Sequence, residues 1–115
     1  MDTAFLKEVE KFTNLKSAID TKKRNAFEKA QNKLIFAFDG GLFKANAETI
    51  MFAKNYDSNR DLILIDTNNT PIKIQNKDEF IMKAESCYYE AMNEYHALYN
   101  DLKQQRSVNK VMNNE

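Results

Sequence analysis

The sequence predicts an α+β fold. A small antiparallel sheet of about four strands, arranged as two hairpins, is flanked by an N-terminal helix or helix pair and a long C-terminal helix. Three observations carry this. Residues 77–106, KDEFIMKAESCYYEAMNEYHALYNDLKQQR, contain no Gly or Pro and repeat their apolar positions at helical spacing. Two segments, LIFAFDGGLFKA and DLILIDTNNTPIKI, each place turn residues between short apolar runs. The first 32 residues carry an amphipathic helical pattern.

The 115 residues read as one domain: a helical segment at 1–32, two hairpins with an intervening helix at 33–76, the long helix at 77–106 and a polar tail at 107–115. Thr3 can cap a helix from Ala4, in which Phe5, Val9, Phe12 and Ile19 repeat, with Leu6 and Leu15 widening the stripe. Asp20-Thr21 can cap a second helix through Asn32 with Ala26, Phe27 and Ala30 inward; one continuous helix is the alternative. Strands follow at about 34–38 and 42–45, joined by Asp39-Gly40-Gly41, where glycine supplies the positive φ of a tight turn. Asn46 can then cap a helix placing Ile50, Ala53 and Met51 on one face, a strand over 49–54 being the competing reading. Leu62–Ile65 is continuously apolar and is expected to be covered on both faces. Asn68-Asn69 suits the second turn, and Pro71 fits the start of a strand where no ladder donor is needed. Asn76 or Asp78 caps the last helix, and the NKVMNNE end is expected to fray.

In that last helix Phe80, Ala84, Cys87, Ala91, Tyr95, Leu98 and Leu102 form one apolar seam, with Ile81, Tyr88, Met92 and Tyr99 in a second row beside it. Thirty residues of helix reach roughly 45 Å, more than a small sheet can cover. The N-terminal helix is the candidate cover for the seam, which leaves the second row to a partner. Tyrosine and methionine suit interfaces, because they bury large areas while tolerating water or an irregular neighbour. The expected partner-binding residues are Phe80, Ile81, Tyr88, Met92, Tyr95 and Tyr99.

Chemical sites find little support. His96 has Met92 and Asn100 four residues either side and Asn93 and Tyr99 three either side, so no helical two-ligand metal pair surrounds it. Cys87 lies about two and a half turns from His96, roughly 13 Å along the same helix and too far for a nucleophile–base hydrogen bond. Glu85, Glu90 and Glu94 read as a solvated face rather than an acid–base pair. DGG at 39–41 lacks every other residue of a phosphate loop, and residues 57–68 lack the central glycine and closing glutamate of a calcium loop. No catalytic residue, metal site or cofactor is implied.

Seventeen basic and seventeen acidic side chains cancel, so no long-range field draws in nucleic acid or an anionic membrane. Lys22, Lys23 and Arg24 form the one concentration of positive charge and are the candidate phosphate contacts, though Asp20 and Glu28 interrupt it. A single cysteine forms no internal disulfide, the N-terminus is acidic rather than a signal peptide, and the longest apolar run has five residues. A soluble, intracellular protein is expected.

The DTNNTPIKI hairpin and the YYEAMNEYHALYNDLKQQRSV helix resemble those of small conserved proteins of marine contractile-tailed bacteriophages, over residues 62–108. The resemblance implies a non-enzymatic virion or virion-assembly component, located in the virion or in the cytoplasm of an infected host. The expected function is a structural or adaptor protein that docks into a larger assembly through its tyrosine-rich helix, with protein partners or further copies of itself. The alternative is a small regulatory protein binding a host or phage enzyme, one that acts on nucleic acid.

Overall fold

In the computed structural model, which describes residues 3–113 and the side chains of residues 3–105, seven elements follow in order. They are α1 (Thr3–Lys33), β1 (Ile35–Phe38), β2 (Gly41–Lys44), α2 (Ala47–Asn55), β3 (Leu62–Ile65), β4 (Pro71–Ile74) and α3 (Lys77–Asn113). The α+β class and both hairpins hold. The N-terminal segment is one helix, because the charged stretch Lys22–Arg24 interrupts the apolar stripe without offering a breaker. Helix α3 continues to Asn113, beyond the expected end at Arg106; residues 114–115 of the polar tail lie outside the described residues.

Local chemistry explains the boundaries. Asn46 Oδ1 accepts from Thr49 N at 2.9 Å, and Asn76 Oδ1 accepts from Glu79 N at 3.1 Å; these are the caps of α2 and α3. Asp39 and Gly40 both have positive φ, 49° and 82°, as the turn of a two-residue hairpin demands. The second hairpin turns through the longer segment 66–70, in which Asn69 alone has positive φ, 62°.

The chain divides into two compact units, Met1–Lys29 with Tyr95–Glu115, and Ala30–Glu94. In the first, α1 and α3 pack side by side. Phe27 meets Tyr95 edge-on at 5.9 Å, Lys23 Nζ sits 5.0 Å above the Tyr99 ring, and Ile19, Ala26 and Leu102 are buried.

The second unit holds four strands as two two-stranded antiparallel sheets. Phe36 pairs with Phe43 in one, and Leu64 with Ile72 in the other. Their inner faces, with Ile50 and Ala53 of α2 and Ala84 and Ala91 of α3, close around Phe80, whose exposure is 0%. Phe36, Phe38 and Phe43 contact the Phe80 ring at 5.5, 5.3 and 5.3 Å. The strands of the first hairpin, rather than α1, therefore cover this end of the seam. Met51 is exposed, so the inward face of α2 is narrower than expected.

Strand β3 departs from expectation more clearly. Leu62 is buried and Leu64 half-buried, but Ile63 and Ile65 are exposed. A continuous apolar run does not distinguish a doubly covered strand from a strand with one apolar open face. Only the alternation of burial does, and here the second face, with Ile63 and Ile65, is exposed.

No ladder joins the two sheets. Instead Asp66, 7% exposed, accepts from Asn68 N and Thr70 N at 2.9 Å and from Leu42 N of β2 at 3.2 Å. Thr67 N donates to Leu42 O at 2.8 Å. Gly41 completes the junction: a Cβ there would stand 2.9 Å from Ile72 Cγ1 and 3.3 Å from Asp66 Cβ. Gln75 N donates to Asp39 Oδ2 at 2.9 Å, a second tie between the hairpins.

Backbone donors to the ionised form, Thr70 N first, hold the Asp66 carboxyl below its ordinary range, against the opposing effect of desolvation. A depressed folded-state pKa stabilises the fold above the unfolded value, and that contribution is lost as pH falls toward the folded value. Thermal melts of the wild type are expected to drop as pH falls below about 4. In Asp66→Asn, which keeps an acceptor oxygen but cannot titrate, the same drop is expected to be smaller. Gly41→Ala is expected to cost about 1–3 kcal/mol by overpacking against Ile72, read from denaturant unfolding at neutral pH.

Candidate functional site

The expected partner-binding row lies on α3, and the two units are best taken in turn. In the unit Ala30–Glu94, Phe80 is withdrawn from the list of surface contacts, because it is the fully buried centre of the aromatic core. Ile81, Tyr88 and Met92 are half-buried against that same core. They are spent on folding because the two hairpins and α2 need a platform, and the second row of α3 is its flank. Tyr89, one residue from Tyr88 and 5.8 Å from it ring to ring, is the exposed tyrosine here.

In the other unit Tyr95 is half-buried between Phe27 and Tyr99, with the Tyr99 ring 6.3 Å away. Tyr99 is partly exposed beneath the Lys23 ammonium. Of the expected row, Phe80 is buried, Ile81, Tyr88, Met92 and Tyr95 are half-buried, and Tyr99 is exposed.

The candidate phosphate contacts separate. Lys23 turns inward to the Tyr99 face, while Lys22 and Arg24 stay exposed. Arg24 lines a polar groove of about 390 Å³ with Asp20, Lys16 and the hydroxyls of Thr13, Ser17 and Thr21. Two of those hydroxyls bond back to α1: Thr13 Oγ1 donates to Val9 O and Thr21 Oγ1 to Ser17 O, both at 2.9 Å. The acidic Asp20 in the same groove offsets the lysine and arginine, so the three basic side chains present no common phosphate cradle.

Groups with chemical potential are likewise engaged in structure. Cys87 Sγ donates to Lys33 O at 3.0 Å. Burial, with the nearby Glu90 carboxylate adding to it, raises its thiol above the ordinary range, the opposite of what a nucleophile needs. Glu85 is paired with Lys54, whose ammonium it holds protonated to higher pH, and Glu94 is paired with Lys33. The carboxylates expected to be a solvated face are therefore in part ion-paired across elements. Asn100 Nδ2 lies 3.4 Å from His96 Nε2. Among the described residues no three His, Cys, Asp or Glu side chains converge as metal ligands, and no helix is long and apolar enough to cross a membrane.

What the molecule does leave open is apolar. Phe5, Leu6, Val9 and Phe12 are exposed along the first turns of α1, at the spacing of a single helix face. Ile63 and Ile65 are exposed on β3, and Met51 and Phe52 on α2. An open groove of about 430 Å³ runs beside Phe52, Lys44 and Ile65. The periodicity of α1 shows the first of these patches in the sequence, yet a stripe reads alike whether it is covered or bare. The β3 patch was hidden by the apolar continuity of LILI.

Comparison with protein-family models, with curated proteins and with solved structures finds no match.

Proposed function

We propose that the protein is a non-enzymatic adaptor that docks into a larger assembly through the bare apolar stripe of α1, and not through the tyrosine row of α3. The observation that carries this reading is the exposure of Phe5 (60%), Leu6, Val9 and Phe12 on one face of a helix whose later stripe residues are inward, Leu15 half-buried and Ile19 3% exposed. Among the described residues the burial of this face, complete at Ile19 and partial at Leu15, gives way to exposure from Phe12 to Phe5. Leaving four large apolar side chains of one face in water is unfavourable by roughly 25 cal/mol per Å² of apolar surface, a gain that a partner recovers.

The occupant we assign is an amphipathic helix of a partner protein. Lys7, Glu8, Glu10 and Lys11 flank the stripe with two charges of each sign, which gives no net attraction to an anionic bilayer or a phosphate backbone. Mixed charges beside an apolar seam are what a second helix of mixed charge reads. The setting suggested by the resemblance over residues 62–108, a bacteriophage virion or its assembly, is part of this proposal and rests on that resemblance alone. A regulatory role would use the same face with an enzyme as partner.

A photo-crosslinking phenylalanine analogue at Val9, in protein expressed in its source cells, is expected to give one dominant protein adduct mapping to a helix of that partner. Phe5→Ser with Phe12→Ser should abolish the adduct and leave the melting temperature of the isolated protein within a few degrees, since both rings are exposed. Adducts dominated by lipid or nucleic acid, or no adduct above that of an exposed Lys22 control, would overturn the reading.

A further inference from the structure

The two two-stranded sheets have four strand edges between them, and three of these carry a blocking contact or a blunting residue. The Leu34–Ala45 hydrogen bond, 2.7 Å, fixes the alternation in the first hairpin so that Ile35, Ala37, Leu42 and Lys44 direct their backbone groups outward. Lys83 Nζ donates to Ala37 O at 2.8 Å and occupies the β1 edge at that residue, leaving Ile35 as its one other outward position. Leu42 N and O are taken by Asp66 Oδ2 and Thr67 N, which closes the β2 edge at its start. In the second hairpin the Asp66–Thr70 bond, 2.9 Å, directs Ile63, Ile65, Pro71 and Lys73 outward. Pro71 has no N–H to offer and Lys73 carries a charge paired with Asp61 at 3.4 Å, the two usual ways of blunting an edge.

The β3 edge has neither device. Its outward residues are Ile63 and Ile65, 56% and 70% exposed, and among the described residues no hydrogen bond takes their outward N–H or C=O groups. Backbone groups and side chains of the same two residues are thus open together, which is the pattern an added strand reads.

We propose that the β3 edge pairs antiparallel with β3 of a second copy of this chain, forming a four-stranded sheet β4–β3–β3–β4 across a two-fold axis at Leu64. The edge is self-complementary. With Leu64 on the axis, Ile63 stands opposite Ile65 of the second copy and Ile65 opposite its Ile63, so both apolar side chains find apolar cross-strand neighbours. Each of these two pairs exchanges both backbone hydrogen bonds, and the pairing stops short of Thr67, where Leu42 O already occupies the edge. Charge agrees with the arrangement: Lys73 is the cross-strand neighbour of Ile63, so the two lysines lie at opposite ends of the joined sheet and no like charges face each other.

This surface is separate from the α1 stripe, and the two assignments fail independently. The test is sedimentation velocity from low micromolar to near-millimolar protein, on the wild type and three variants. The wild type is expected to pass from monomer to dimer. Ile65→Lys, which puts a charge opposite Ile63 of the second copy, should weaken dimerisation at least tenfold while leaving the low-concentration melting temperature unchanged. Ile35→Lys, at an exposed isoleucine of the other hairpin, and Phe5→Ser with Phe12→Ser should dimerise like the wild type. A wild type monomeric throughout overturns the proposal, as does an Ile65→Lys protein that dimerises normally. Loss of the dimer in Ile35→Lys or in the α1 variant to the same degree also overturns it, by showing that another surface is in contact.

Discussion

The unit Ala30–Glu94 depends on one carboxylate. A two-stranded hairpin is marginal by itself in water, and here two of them must share a core without sharing a ladder. Asp66 resolves this by accepting two N–H groups from its own turn and one from Leu42 of the other hairpin. An ionised acceptor makes each of those bonds stronger than a neutral one, and the turn and the junction are thereby set by the same side chain. The absence of a side chain at Gly41 is the steric half of the arrangement, since it lets Ile72 come within van der Waals reach of the β2 backbone.

The first hairpin presents the rings of Phe36, Phe38 and Phe43, and Phe80 of α3 packs against all three. Offset and edge-on ring contacts of this kind add to the area that each ring buries. This explains why the aromatic-rich helix is a structural platform. Lys83 Nζ on Ala37 O and Lys77 Nζ on Tyr56 O bind the same helix to the strand and loop around it. Among the described residues the large apolar side chains left exposed include those on the first turns of α1, on the outer face of β3 and on α2.

Much of this was legible in the residues. Asp39-Gly40 and Asn68-Asn69 located both turns, Asn46 marked the start of α2, Asn76 was one of two candidates for the start of α3, and the seam from Phe80 through Ala91 named core residues. What failed were inferences about what covers an apolar surface. Periodicity says that Tyr88 and Met92 share a flank of α3, but not that the core reaches far enough to half-bury them. It says that LILI is apolar, but not that one of its faces is exposed. Asp66 was legible only as a turn residue, because an aspartate that bonds its own i+2 amide leaves no sequence sign of a third donor arriving from β2.

Amide hydrogen exchange at neutral pH tests the role of Asp66 most directly. The three donors to its carboxylate, Leu42, Asn68 and Thr70, and the adjoining Thr67 are predicted to exchange as slowly as the ladder amides of Phe36 and Phe43, opening with them as one cooperative unit. Exchange of Leu42 and Asn68 at the rate of an open loop, with the Phe36 and Phe43 amides still protected, would contradict the account: the hairpins would then be held by apolar packing alone.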